Sequence, residues 1–289
     1  MNTTAPVDIY NSFFGFRERP FTLVPDPDFL FWSKSHRLAF TMLEYGILTR
    51  SPITVVTGEI GAGKTTLLQH LLKTMPEDVI VGLISNAQGD RGELLQWVLY
   101  SLGEKFEPHA SYVELFQQLQ DFLLESYAEG HRVILIIDEA QNLNTHTLEE
   151  LRMLTNINSN KDELVQLVLV GQPELRALIM RPEMKQFMQR VGSSFHLSAM
   201  SKDNVAAYIA HRLRVAGGTG EEFAQDAVSE VYRLTSGIPR LVNQLCDLGL
   251  VYAFSSEESV VTAETIDCVL ADGVFFGAPA PGGEAAHES

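Results

Sequence analysis

Gly58-Glu59-Ile60-Gly61-Ala62-Gly63-Lys64-Thr65 has the spacing G-x-x-x-x-G-K-[ST], a pattern with a definite chemical use. Glycines let successive backbone N–H groups curl around a phosphate, and a helix starting just after them adds partial positive charge. The lysine bridges the β- and γ-phosphates of a nucleotide, and the hydroxyl beside it ligates Mg²⁺. Lys64 and Thr65 are therefore the expected phosphate and metal residues, with Thr66 beside them in the nucleotide-binding set. The plain alternative is a glycine turn with no ligand.

A second element has the chemistry this site needs. The apolar run at residues 133–137 ends in Asp138-Glu139. In P-loop ATPases an acid leaving a buried strand beside the cradle holds Mg²⁺ through water, and the next acid can polarise the attacking water. Asp138 is the expected metal-side residue and Glu139 the expected general base. On its own, an acidic pair after an apolar strand can equally be a helix-capping turn.

Elements able to position these residues follow from periodicity. Short β-branched runs at 53–57, 79–85, 133–137 and 164–170, and a short fifth at Phe195-His196-Leu197, alternate with helix-length amphipathic sequence. Uninterrupted apolar strands separated by helices predict an α/β fold, a five-stranded parallel sheet covered on both faces. Beyond residue 201 only helical periods remain, at 204–216, 224–235, 239–254 and 263–270, which predicts a small all-helical domain. Gly237-Ile238-Pro239 stops one helix and starts the next with a proline suited to a first turn. The expected organisation is an N-terminal clamp and linker helix at 1–50, a core at 51–200, a helical lid at 201–274 and a disordered tail at 275–289. In the clamp, Phe13-Phe14-Gly15-Phe16 and Arg19-Pro20-Phe21 interleave aromatics with turn formers.

Composition narrows the class. Lys plus Arg total 21 against 37 Asp plus Glu, a formal charge of -16, so the average surface repels phosphate backbones and nucleic-acid binding is disfavoured. Cys246 and Cys268 form no C-x-x-C pair, and both are expected to be small buried hydrophobes. The histidines lack metal-ligand spacing. No basic residue precedes Arg17 and no apolar run is long enough to span a bilayer, so the expected location is cytoplasmic, without direct membrane insertion.

Several P-loop classes can be separated on the letters. The nearest match to the guanine motif N-K-x-D, Asn160-Lys161-Asp162-Glu163, ends in Glu and precedes a strand. Asp138-Glu139-Ala140-Gln141 is similar to a helicase box, yet too little chain follows for a second motor domain. No serine-glycine transporter signature lies between the cradle and the acidic strand. What remains is an AAA+ arrangement, a P-loop core followed by a lid. Phe14-Gly15-Phe16, Pro20-Phe21, Pro25-Asp26-Pro27, Ser35-His36, the cradle, Ile137-Asp138-Glu139-Ala140-Gln141, Leu148-Glu149-Glu150-Leu151-Arg152, Val168-Leu169-Val170-Gly171-Gln172-Pro173-Glu174-Leu175 and Ser236-Gly237-Ile238-Pro239-Arg240 resemble the ExeA (general secretion pathway protein A) ATPases. The resemblance spans roughly residues 13 to 270. It extends to ATPases of exosortase and exopolysaccharide loci and, more distantly, to the MuB and TniB transposition ATPases.

The resemblance implies ATP and Mg²⁺ as ligands and assigns further residues. Asn86 matches the position that holds the catalytic glutamate inactive, or else is a strand-ending cap. Gln172 matches sensor 1, facing the γ-phosphate or the water, or else is a turn residue. Arg240 matches sensor 2 at the start of a lid helix, and Arg190, with Arg181 as the alternative, matches the arginine finger that enters a neighbouring subunit's site. A finger acting in trans implies a homo-oligomer formed with ATP. Full-length relatives continue into a membrane span and a peptidoglycan-binding region; the resemblance gives no basis for carrying either over, and any link to the inner membrane or envelope is expected to run through a protein partner. The leading role is an ATP-driven switch in assembly or export of surface material. The competing roles are a MuB/TniB-like DNA-binding regulator and a nucleotide-gated adaptor with little turnover.

Overall fold

The computed structural model describes residues 9–24, 26–85, 93–107, 109–159 and 162–277. In chain order the elements are α1 (Asn11–Phe14), α2 (Lys34–Leu48), β1 (Ile53–Gly58), α3 (Lys64–Thr74), β2 (Val79–Ser85), α4 (Glu93–Ser101), α5 (Tyr112–Ala128) and β3 (Arg132–Asp138). They continue with α6 (Thr145–Leu154), the short pair β4 (Asn158–Ser159) and β5 (Asp162–Glu163), then β6 (Val165–Gly171), α7 (Pro173–Ile179), α8 (Lys185–Arg190) and β7 (Val191–Leu197). Four helices follow: α9 (Lys202–Val215), α10 (Gln225–Thr235), α11 (Pro239–Ser255) and α12 (Ala263–Ala271). By contacts the chain divides into two compact units. One comprises residues 34–59 and 67–198, the other residues 1–33, 60–66 and 199–289.

The first unit is built on the sheet. Among the described residues five strands pair in parallel in the order β2-β3-β6-β1-β7. Sequence and position agree: β1 and β6, wholly buried, and β3, buried after Arg132, are the central strands, whereas the edge strands β2 and β7 are only partly buried. Ile134, Leu135, Ile136 and Ile137 on β3 and Leu167 and Leu169 on β6 are 0% exposed. Each such side chain contributes on the order of 1.5–3 kcal/mol on leaving water. The fifth strand is longer than the expected triplet, starting at Val191 instead of Phe195. Its first half, Val-Gly-Ser-Ser, lacks a continuous apolar run because an edge strand has to satisfy only one neighbour and half a core.

One polar residue sits inside this apolar sheet. Gln166, 6% exposed on β6, donates from Nε2 to the carbonyls of Gly46, Ile47 and Ser51 at 3.2, 3.4 and 3.2 Å. These carbonyls end α2 and the turn after it; those of Gly46 and Ile47 also accept from the N–H groups of Ser51 and Arg50, at 2.8 and 3.2 Å, so Gln166 completes a helix end that the turn only partly satisfies. On the opposite face, α5 is started by a capping box: Glu114 N–H donates to Ser111 Oγ at 3.3 Å, and Ser111 N–H to Glu114 Oε2 at 2.7 Å.

The second unit is helical. Val205, Ile209 and Leu213 of α9, Ala227 and Val231 of α10, Val242, Leu245 and Leu250 of α11, and Ile266 and Val269 of α12 form its core. The N-terminal aromatics are part of it. Tyr10, Phe16, Phe21 and Phe29 are buried there, with Phe21 edge-on to Phe223 at 5.9 Å. The segment is pinned by polar contacts as well: Tyr10 Oη donates to Asp247, and Asn243 Nδ2 donates to Thr22 O at 3.1 Å. Arg212 places its guanidinium 4.6 Å from the Phe29 ring and donates to Pro20 O at 2.5 Å. The clamp residues 9–33 thus belong with the helices, and α2 belongs with the sheet. Phe275, expected to begin the tail, is buried in the helical core, while residues 278–289 lie outside the described residues. Cys246 is buried as expected. Cys268 is exposed, because it lies on the outer side of α12 opposite Ile266 and Val269.

Candidate functional site

Parallel strands end on one edge, and this sheet brings its chemistry to that edge. The register pairs Thr57 with Gly171 and Ile137 with Leu169. Gly58 at the end of β1, Gln172 just past β6 and Asp138-Glu139 at the end of β3 therefore leave three adjacent strands, with β6 between the other two.

From Gly58 the chain turns through residues 59–63 into α3, which starts at Lys64. Gly61 and Gly63 have φ of +76° and +95°, the left-handed region that L side chains avoid. Alternating handedness of this kind turns consecutive N–H groups toward a common centre, the geometry of an anion nest, and α3 adds its positive end. Ala62 and Lys64 are buried, at 1% and 8% exposed, whereas Glu59 and Ile60 face outward. Thr65 and Thr66 occupy the first turn of the helix, both half-buried.

Gly61 also meets the start of α11. Arg240 N–H donates to Gly61 O at 3.2 Å, and a Cβ at Gly61 would lie 2.4 Å from Arg240 Cβ. Arg240 reaches this place through local sequence. Ser236 and Gly237 are both left-handed, at φ 49° and 73°, Ile238 is extended, and Pro239 opens α11. Gly237 is required because a Cβ there would lie 2.0 Å from Met200 O. The Arg240 side chain is exposed and makes no hydrogen bond or ion pair among the described residues.

At the end of β3, Asp138 is 8% exposed and its Oδ1 accepts from Glu139 N–H at 2.9 Å. Glu139 itself is left-handed, φ 54° and ψ 36°, a conformation costing about 1–2 kcal/mol for a residue with a side chain. Its carboxylate is gripped on one oxygen. Glu139 Oε2 accepts from Gln141 Nε2 at 2.5 Å and from Gln172 Nε2 at 3.2 Å, and Gln141 Oε1 accepts from Gln172 N–H at 3.0 Å. Gln141 escaped the sequence reading although it closes the Asp-Glu-Ala-Gln motif. Its position two residues past the expected base, where the apolar run gives way to polar residues, is the signal that could have found it.

The remaining expected residues separate. Arg190 Nη1 pairs with Glu163 Oε1 at 2.8 Å and its Nη2 donates to Asn156 Oδ1. Burial pushes the Glu163 carboxyl up, and Arg190 opposes that shift. Arg181 is exposed, with Glu183 at 4.0 Å. Asn86 lies outside the described residues. No cluster of three or more His, Cys, Asp or Glu suited to a metal occurs among the described residues.

Sheet order, glycine cradle and acidic strand end define a P-loop ATPase fold of the AAA type, and residues 48–179 match the AAA domain family. Those residues carry an AAA domain. The chain as a whole resembles General secretion pathway protein A of Aeromonas hydrophila, with 37% identity over 247 residues. The match takes in 86% of this chain and 45% of that protein, so the chain spans less than half of its relative's length.

Solved structures share the fold at low identity. An Aeropyrum pernix ORC2 protein in ADPNP and ADP complexes aligns with a TM-score of 0.61 and 16% identity, over 82% of this chain and 66% of that one. Drosophila ORC bound to DNA aligns with a TM-score of 0.65 and 16% identity, over 95% and 68%. At that identity the likeness concerns the fold alone.

Proposed function

We propose that this chain hydrolyses ATP to ADP and phosphate and uses the cycle to gate a protein partner in assembly or export of envelope components, in secretion or at an exopolysaccharide locus. The observation that carries the catalytic part is the Glu139 carboxylate, held at the end of β3 in a left-handed conformation with Oε2 bound by two amides. A residue placed at such cost has a position to keep. Glu139 is the general base that takes a proton from the attacking water. Residues 58–66 receive the phosphates, with Lys64 as the cation that bridges them. Thr65 and Asp138 are the magnesium-side residues, and the ion when bound neutralises charge on the phosphates.

Gln172 is the proposed sensor on the sheet side and Arg240 the proposed sensor on the lid, supported by the backbone bond that fixes Arg240 against Gly61. Asn86 is the proposed restraint on Glu139. Arg190 or Arg181 is the finger that completes a neighbour's site, and the working form is a homo-oligomer assembled with ATP. The secretion part rests on the resemblance to General secretion pathway protein A. No helix among the described residues is long and apolar enough to cross a membrane; the attachment proposed is through a partner at the inner membrane or envelope. The location proposed is cytoplasmic, peripheral to that membrane.

Affinity capture tests the gating role. Glu139→Gln, loaded with ATP, is expected to retain the partner, and Lys64→Ala is expected to lose it. Equal recovery with both variants would mean that nucleotide does not govern recruitment.

A further inference from the structure

We propose that Gln141 is a positioning residue for the base, orienting the Glu139 carboxylate so that Oε1 is the oxygen presented to water. The inference rests on the ATPase reading above and goes beyond it by naming a residue outside the cradle, the metal set and the sensors. Three contacts carry it. Gln141 Nε2 donates to Glu139 Oε2 at 2.5 Å, Gln172 Nε2 donates to the same oxygen at 3.2 Å, and Gln172 N–H donates to Gln141 Oε1 at 3.0 Å. Glu139 Oε1 accepts no hydrogen bond among the described residues.

The amide of Gln141 has two ends, and both are committed. Its oxygen is fixed by a backbone N–H at the start of α7, so its nitrogen can point only one way, toward Glu139. A backbone donor does not rotate, which makes Gln141 the rigid member of the pair. Gln172 reaches Glu139 through its own side chain at a longer distance. Together the two glutamine side chains and the Gln172 N–H connect the end of β3 to the end of β6.

The chemical effect follows from carboxylate geometry. An oxygen whose lone pairs already accept two N–H donors has none left for water, while its twin has lone pairs directed away from the amides. Fixing which oxygen is which removes a rotation of the carboxylate that would otherwise place either oxygen toward water. Orientation of a reacting group is a large part of catalysis, and misplacement by about 1 Å can cost about a hundredfold. The interaction leaves the phosphate cradle untouched, so it bears on turnover and not on nucleotide binding.

The test uses the full chain with Mg²⁺ and ATP. Gln141→Met keeps the length and removes both hydrogen bonds; Gln141→Asn keeps the amide on a shorter stem and serves if the first variant folds poorly. Expected for either is a fall in kcat of about 10- to 100-fold with KM within about twofold of wild type. In a Glu139→Gln background, Gln141→Met should add less than about twofold, because its effect passes through that carboxylate. Unchanged or raised kcat in both single variants, or a full multiplicative loss in the double variant, would overturn the inference while wild-type turnover upholds the ATPase reading. Absence of ATP turnover in the wild-type chain would instead defeat that reading, and the inference with it.

Discussion

Gly61→Ala tests the cradle at the point where it touches α11. A left-handed φ of +76° costs a residue with a Cβ about 1–2 kcal/mol. The new Cβ would lie 2.4 Å from Arg240 Cβ, so α11 has to recede by about 1 Å or the loop has to change shape. Either way the bond from Arg240 N–H to Gly61 O, 3.2 Å long, is lost at about 0.5–1.5 kcal/mol. The cheaper escape is for the loop to relax to negative φ, which turns its N–H groups off their common centre. Nucleotide binding must then restore the strained form, and the cost of about 2–3 kcal/mol appears as a 30- to 150-fold weaker Kd for ATP. Titration calorimetry gives the Kd and a thermal melt shows whether the fold is intact. An affinity within threefold of wild type, in a variant with unchanged melting, would refute the cradle geometry and its tie to Arg240.

Other expected outcomes concern the scaffold. Gln166→Leu takes the donor from the Ser51 carbonyl and a second donor from the Gly46 and Ile47 carbonyls, which keep backbone N–H partners, and should lower unfolding stability by about 1–2 kcal/mol in urea titration, where a loss below about 0.5 would show that the contacts are incidental. Arg190→Ala breaks the partly exposed pair with Glu163 and the bond to Asn156 and should cost about 1 kcal/mol, whereas Arg181→Ala should leave the melting temperature unchanged; equal melting of the two would deny Arg190 its structural role. His211 is held below its ordinary pKa by burial, with Arg212 and Arg214 adding to the shift. The unfolded chain takes up that proton near pH 6.5 while the folded chain does not until lower pH, so stability falls as pH drops below 6.5. His211→Gln should flatten that acid arm, and an unchanged slope in thermal melts would count against it.

How much was legible in the sequence depends on the range of the interactions. The cradle, the acidic strand end and the central strands are local signals: spacing in one case, unbroken β-branched runs in the others. The first half of β7 was not legible because polar residues on an edge strand look like a loop until the neighbour at β1 is known. Gln166 reads as an interruption in an apolar run, and its purpose is visible only with the end of α2 above it. The aromatics of residues 13–21 announce a packed segment, but the helices they pack against lie at the other end of the chain. Gln141 shows the same limit within the site. Its motif was visible, yet its partner Gln172 arrives from a different strand, and only the register between β3 and β6 joins them.

Phosphate release measured alongside ATP binding, for the wild-type chain and Glu139→Gln, tests the central claim most directly. The wild-type chain should release phosphate in a Mg²⁺-dependent reaction, and Glu139→Gln should bind ATP with wild-type affinity while releasing phosphate about 10²–10⁴-fold more slowly. A Glu139→Gln variant that turns over at the wild-type rate, or a wild-type chain that binds ATP and releases no phosphate, would contradict it.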